Sequence, residues 1–205
     1  LTQATELGTV YRPAEIAAIS AFARERGLAL HVDGARFANA VAFLGCPPAE
    51  LTWRAGVDVL SFGATKNGAF GAEAVVFFDP ARVADFELRR KRAAHLLSKM
   101  RFVSAQLLAY VDQDLWLRNA ARANALARRL GAAAGSMLRH PVEGNEVFIA
   151  ADAPQRARLR AAGFEFYDWG PEGAGEARLV VSWDQPEEEV EALATALASL
   201  CAVGA

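Results

Sequence analysis

The chain has 205 residues, of which 53% are hydrophobic and 22% are charged, so the composition excludes an intrinsically disordered protein. This length supports one sizeable core, or one domain with a smaller one attached. The formal net charge of −2 does not indicate nucleic acid or an anionic membrane as a main partner.

The first third of the chain is predicted to alternate helices and strands. Pro13 and Gly27 are typical of the first turn and the end of a helix, and an apolar strand is expected directly afterwards, over 28–32. Short helices are expected over 37–44 and 50–55, and strands over 58–62 and 73–78. The continuous apolar run of the last strand predicts that both of its faces are covered.

The pattern then changes twice. From Asp79 to about Ala134 it predicts only helices, which we expect over 86–99, 102–111 and 115–130. After a loop at 135–145, strands are expected over 147–150, 164–167 and 178–183, and helices over 154–162 and 187–200. We therefore predict two domains: residues 1–134 form an α/β unit with a mostly parallel sheet, and residues 135–205 form a small α+β C-terminal unit.

Lys66 is the most informative residue. It follows the predicted strand 58–62 and lies in the loop Gly-Ala-Thr-Lys-Asn-Gly at 63–68, whose glycines allow the backbone to approach a ligand closely. Most lysines are ordinary surface residues. A lysine amine in such a loop can instead form a Schiff base with a carbonyl compound.

Asp33 ends an apolar strand in the segment His-Val-Asp-Gly-Ala-Arg at 31–36. Ligands of open α/β sheets bind beyond the carboxyl ends of the strands, where a carboxylate can keep a pyridine ring nitrogen protonated. Asp33 could equally cap the helix that follows. With Lys66 present, we favour a pyridoxal phosphate site. Arg36 is then a candidate for binding the cofactor or a substrate carboxylate, although a structural ion pair is the alternative.

Four further residues have weaker signals. Ser61 and Thr65 carry hydroxyls that could reach a phosphate, or could simply cap the strand end. Arg178, at the start of a predicted strand, could bind an α-carboxylate with two parallel hydrogen bonds. His31 shares a strand face with Asp33, so it could lie near the ring or be a core imidazole. The three histidines are too scattered to predict a metal site, and Cys46 and Cys201 are expected to be free thiols.

Taken together, these segments resemble the pyridoxal-phosphate-dependent threonine aldolase family, which has the aspartate-aminotransferase-like fold. The resemblance rests on 31–36 and 61–68, supported by Glu-Ala-Val-Val-Phe-Phe at 73–78, Ser-Lys-Met-Arg-Phe at 98–102, Leu-Trp-Leu-Arg-Asn-Ala at 115–120 and Arg-Leu-Val-Val-Ser-Trp-Asp at 178–184. It is strongest for the bacterial low-specificity L-threonine and phenylserine aldolases.

The resemblance implies roles for particular residues. Lys66 would form the Schiff base with pyridoxal 5'-phosphate, and Asp33 would pair with the pyridine nitrogen. Arg178, assisted by Arg36, would bind the substrate carboxylate. The implied reaction is retro-aldol cleavage of a β-hydroxy-α-amino acid to glycine and an aldehyde, in a cytoplasmic homodimer or homotetramer.

The same resemblance implies a further N-terminal segment. Family members carry there a glycine-rich phosphate loop, a histidine that stacks on the cofactor and a histidine near the substrate hydroxyl, none of which maps onto this chain. Because the chain also opens on Leu1 rather than Met, we expect it to be the C-terminal part of a longer protein. Two alternatives stay open: another pyridoxal phosphate lyase or aminotransferase-like enzyme, and an inactive remnant that acts only as an interaction module.

Overall fold

A computed structural model describes residues 1–171 and 173–203 of the chain. These residues form, in chain order, the helices and strands α1 Pro13–Glu25, β1 His31–Gly34, α2 Phe37–Leu44, β2 Val59–Gly63, β3 Glu73–Phe77, α3 Phe86–Arg92, α4 Met100–Val111, α5 Leu115–Ala134, β4 Glu146–Ala150, α6 Ala153–Ala161, β5 Tyr167–Trp169, β6 Glu176–Val180 and α7 Glu187–Val203. None of the described helices is both long and apolar enough to cross a lipid bilayer.

The first sheet is mixed, in the order β1-β2-β3. Strands β1 and β2 are parallel, with Asp33 opposite Ser61, whereas β3 runs antiparallel to β2. The nine residues 64–72 between β2 and β3 are too few for the crossover that a parallel pair requires. Within the described residues β3 pairs only with β2, and Val75 is 43% exposed. The prediction that both faces of this strand are covered is therefore wrong for this structure.

The chain start holds β1 on its other edge. The amide of Asp33 donates to the carbonyl of Leu1, and the amide of Gln3 donates to the carbonyl of Asp33, both at 2.8 Å. Asp33 thus lies between two hydrogen-bonded neighbours, which restricts the backbone at the end of the strand.

The second sheet, in the order β4-β6-β5, is antiparallel throughout, with Phe148 opposite Arg178 and Arg178 opposite Tyr167. Helix α5 connects the two halves of the protein. Its first turns pack in the core around the first sheet through Trp116, and later residues such as Leu130 pack in the core around the second sheet. The division into domains 1–134 and 135–205 stays a prediction.

Several helix boundaries differ from those predicted. The helix expected over 50–55 is wrong: the segment forms two 3₁₀ turns, Pro48–Leu51 and Trp53–Ala55, separated by the non-helical backbone of Thr52. Helix α3 ends at Arg92, earlier than expected. Helix α5 continues through Gly131, the predicted end, to Ala134. Gly131 packs against Val142, where a Cβ would lie 2.6 Å from a methyl carbon, so this glycine allows close packing and does not end the helix.

Candidate active site

A cleft of about 280 Å³ lies where the carboxyl end of β1 faces the second sheet. Its lining includes Asp33, Arg36, Lys66, Glu146, Trp169 and Arg178. The volume is slightly below the range of about 300 to 1,000 Å³ that is usual for small-molecule pockets. A larger cavity of about 440 Å³ lies beside Phe164. The described residues that line it include no lysine or arginine, so they offer a ligand neither an amine nor a guanidinium.

The Asp33 side chain does not cap α2, because Arg36 holds the N-cap position and no side chain makes a cap hydrogen bond there. The Oδ1 of Asp33 accepts a hydrogen bond from the Ala35 amide at 3.0 Å, which stabilises the turn into α2. Its Oδ2 has no protein partner among the described residues, and the side chain lines the cleft. One carboxylate can therefore hold the local backbone and still accept a hydrogen bond from a ligand.

Lys66 lies in the 3₁₀ turn Thr65–Asn67, directly after β2. Its side chain is exposed and lines the cleft, and its amine contacts no acidic partner in the part of the chain that the structure describes. The next residue, Asn67, is only 3% exposed and anchors the turn. Its Nδ2 donates to the Tyr110 hydroxyl at 2.7 Å and to the Trp116 carbonyl at 2.8 Å. A buried anchor thus carries an exposed amine at the cleft.

Two glycines let the strands that carry the site approach each other. A Cβ on Gly34 would lie 2.6 Å from the Ser61 carbonyl oxygen, and one on Gly63 would lie 2.8 Å from the Ala35 Cα. Both contacts are with backbone atoms, which cannot move aside cheaply. Glycine is therefore required here by space, so that Asp33 and Lys66 can reach the same cleft.

The two candidate arginines meet at one buried carboxylate. Glu146 is 3% exposed, and its Oε1 lies 2.8 Å from Nε and 2.5 Å from Nη2 of Arg178. The same oxygen lies 3.4 Å from Nη2 of Arg36, whose Nε donates to Asn145 Oδ1 at 3.1 Å. Burial lowers the pKa of Arg36; the Glu146 carboxylate opposes this shift, and the nearby Arg178 cation adds to it.

Ser61 and Thr65 are not among the side chains that line the cleft. The Ser61 hydroxyl lies 2.9 Å from Nε2 of His31, which is exposed rather than part of the core. The Thr65 hydroxyl accepts from the Ala72 amide at 3.2 Å and so closes its own loop. Their roles as phosphate contacts stay predictions.

The sequence analysis missed three residues of the site. Glu146 lies just before the predicted strand 147–150 and was not considered as a site residue. Its position next to an apolar run was a usable signal, because a carboxylate buried there needs a charged or hydrogen-bonding partner. Trp169 lines the cleft, with the Arg178 guanidinium 5.1 Å from its ring centroid. Asn67 was noted only as a neighbour of Lys66, and nothing local indicated its burial. Groups of three or more residues able to bind a metal are absent from the described chain, and Cys46 and Cys201 are free.

The fold is the α/β fold of aspartate-aminotransferase-like proteins. A solved aspartate aminotransferase from Rhodobacter sphaeroides superposes with a TM-score of 0.71 at 21% identity, covering 98% of this chain and 56% of that chain. A solved threonine aldolase from Leishmania major superposes with a TM-score of 0.89 at 28% identity, covering 98% of this chain and 60% of that chain.

The sequence narrows this class to a family. Residues 1–154 match the profile of the family described as Beta-eliminating lyase, and the chain belongs to that family. A low specificity L-threonine aldolase from Pseudomonas sp. (strain NCIMB 10558) is 50% identical over 198 residues, which cover 95% of this chain and 57% of that protein. The chain thus spans little more than half the length of this relative.

Proposed function

We propose that this protein binds pyridoxal 5'-phosphate and cleaves β-hydroxy-α-amino acids, such as L-threonine, L-allo-threonine or phenylserine, to glycine and an aldehyde. The observation that carries the proposal is the convergence of Lys66, Asp33, Arg36 and Arg178, from separate elements, on one cleft. The similarity to proteins named threonine aldolase supports the same reaction.

The donor set of the cleft fits this cofactor. An exposed lysine amine without an acidic partner among the described residues can bind an aldehyde covalently. The Asp33 carboxylate, which keeps one oxygen available, can hold a pyridine nitrogen in its protonated form. When bound, pyridoxal phosphate supplies an electron sink for the electron pair left when a bond to the amino-bearing carbon breaks.

The remaining roles belong to the chain's own side chains. Arg178 presents a planar guanidinium held by Glu146 and Trp169, which is suited to an α-carboxylate. Arg36 adds a second cation at the same cleft. Lys66 is the lysine whose side chain lines the cleft, so its amine can hold or donate a proton there. Holding the substrate by its carboxylate would fix the orientation of the α-carbon within the cleft.

The test of this assignment is chemical trapping at Lys66. Purified chain is incubated with pyridoxal phosphate, reduced with borohydride, digested and mapped by mass spectrometry. We expect one stoichiometric adduct at Lys66, its loss in Lys66→Ala, and its retention in the matched control Lys91→Ala, which changes an exposed lysine of α3 outside the cleft. Adducts spread over all three lysines, or aldehyde release that survives Lys66→Ala, would contradict the assignment.

The family description favours one alternative. Because the matching family is described as Beta-eliminating lyase, the same site could instead eliminate a group from the β-carbon. Product analysis separates the reactions: glycine with an aldehyde indicates aldol cleavage, and pyruvate with ammonia indicates elimination. We extend the proposal to a homodimer or homotetramer in the cytoplasm, which sedimentation of the purified protein and cell fractionation would test.

A further inference from the structure

Glu146 lines the cleft, although the proposed reaction gives this carboxylate no direct role. A buried carboxylate in a cleft meant for an anionic substrate competes with that substrate for the arginines. One oxygen of Glu146 nevertheless contacts both cations, Arg178 through Nε and Nη2 and Arg36 through Nη2, at 2.5 to 3.4 Å. Burying three charged groups together is costly unless the charges are paired, so each arginine depends on Glu146 for its pairing.

The pairing of strands β4 and β6 produces this contact. Phe148 lies opposite Arg178, and Glu146 is two residues before Phe148, so Glu146 and Arg178 are diagonal neighbours on the same face of the sheet. Arg36 arrives from the other half of the protein, at the start of α2. Its Nε is bound by Asn145, whose own Nδ2 donates to the Val181 carbonyl at 2.8 Å. Neighbouring residues 145 and 146 therefore hold both arginines.

The charges of Glu146, Arg36 and Arg178 sum to one positive charge. Two guanidiniums and one carboxylate leave a net charge of +1, which matches one substrate carboxylate. Without the carboxylate, two largely buried cations would face each other across the cleft and repel, with side chains of Arg36 and Arg178 only 16% and 20% exposed.

The contacts also determine which side of Arg178 is available. Glu146 covers the Nε–Nη2 edge, and the Trp169 ring lies against the guanidinium with its centroid 5.1 Å away. No described residue bonds to Nη1 of Arg178, so that side of the guanidinium is available to a ligand. A guanidinium held on one edge and one face loses little further freedom when it binds a carboxylate.

We propose that Glu146 is a positioning residue that holds Arg36 and Arg178 together and thereby creates the subsite for the α-carboxylate of the substrate. This inference rests on the proposed function, because it takes an amino acid as the ligand. Glu146 itself acts through the arginines and does not contact the reacting atoms.

The experiment compares two ligands that differ in the carboxylate. Glycine and ethanolamine both carry a primary amine, but ethanolamine has a hydroxymethyl group in place of the carboxylate. Their dissociation constants are measured on the pyridoxal-phosphate-loaded chain from the change in its visible spectrum. For Glu146→Gln we expect glycine to bind about tenfold more weakly and ethanolamine to change by less than about twofold, because a hydrogen bond to a charged group contributes on the order of a tenfold change or more.

Glu143→Gln is the matched control. Glu143 forms the same kind of ion pair, with Nη2 of Arg12 at 2.6 Å, and lies outside the lining of the cleft. Its loss should leave the glycine-to-ethanolamine ratio unchanged. An unchanged ratio in Glu146→Gln, or tighter glycine binding, overturns the proposal for Glu146.

A second readout needs no cofactor. Phenylglyoxal modifies arginine side chains, and the Glu146 carboxylate covers reactive nitrogens of Arg178. We expect Glu146→Gln to accelerate modification of Arg178 severalfold. Glu146→Asp retains the charge on a shorter side chain, so we expect a smaller acceleration, and this variant provides the test if Glu146→Gln folds poorly. Equal modification rates in wild type and both variants overturn the proposal. If the wild-type chain binds neither pyridoxal phosphate nor glycine, the proposed function fails, whereas the phenylglyoxal result still decides whether Glu146 holds the arginines.

Discussion

Replacing Asn67 with alanine should destabilise the protein by about 2 kcal/mol, because Asn67 anchors the turn that carries Lys66. The side chain is 3% exposed and donates two hydrogen bonds, to the Tyr110 hydroxyl at 2.7 Å and to the Trp116 carbonyl at 2.8 Å. Each such bond contributes about 1 kcal/mol net to the free energy of unfolding. The Tyr110 hydroxyl also lies 3.4 Å from the Gly63 carbonyl, so it is not left without a partner and the estimate needs no larger penalty.

Urea unfolding followed by circular dichroism and tryptophan fluorescence measures this change. With a denaturant dependence of about 1 to 3 kcal/mol per molar, the midpoint should fall by about 1 M. Ser199→Ala, at an exposed position of α7, serves as the control and should stay within about 0.5 kcal/mol of wild type. Borohydride trapping of pyridoxal phosphate at Lys66 should also become less efficient in the Asn67 variant. If Asn67→Ala matches the Ser199 control in stability, the turn is held by other contacts and the reasoning is refuted.

Three further predictions concern the stability of the folded chain. Gly63→Ala should cost about 1 to 3 kcal/mol in the free energy of unfolding, because its Cβ would lie 2.8 Å from backbone, whereas Gly71→Ala, with open space around it, should be nearly neutral in the same urea assay. Burial raises the pKa of Tyr110 to about 12, so the wild type should lose about 2 to 3 kcal/mol as the pH rises from about 10 to 12, and Tyr110→Phe should lack this alkaline loss. The hydrogen bond from Arg12 holds the pKa of Glu143 below its usual value, so the stability advantage of wild type over Glu143→Gln should be full at neutral pH and shrink as the pH falls through the depressed pKa; an advantage that grows in acid would contradict the pairing.

Local sequence patterns were sufficient to single out several of the residues that line the cleft. Asp33 and Lys66 each follow an apolar strand and stand beside glycines, so their position at strand ends could be predicted without knowing the fold. For Arg36 and Arg178 the local pattern left two interpretations open, and the resemblance assigned them to one ligand; the structure places both at the cleft. The predicted strands shifted by a few residues, since propensity locates an element better than it locates its ends.

The exposure of β3 and the surroundings of the arginines were decided by tertiary structure, whereas the antiparallel direction of β3 follows from its short connection. Strand β3 reads as a covered strand in the sequence, but its short connection makes it antiparallel, and only one of its edges is paired among the described residues. Glu146 lies 110 positions after Arg36 and 32 before Arg178. Which carboxylate meets which cation depends on the register of β4 against β6 and on how the second sheet packs against α2. The local sequence pattern indicates which secondary structure each segment favours. Contacts between residues that are distant in sequence form only when the two sheets pack together.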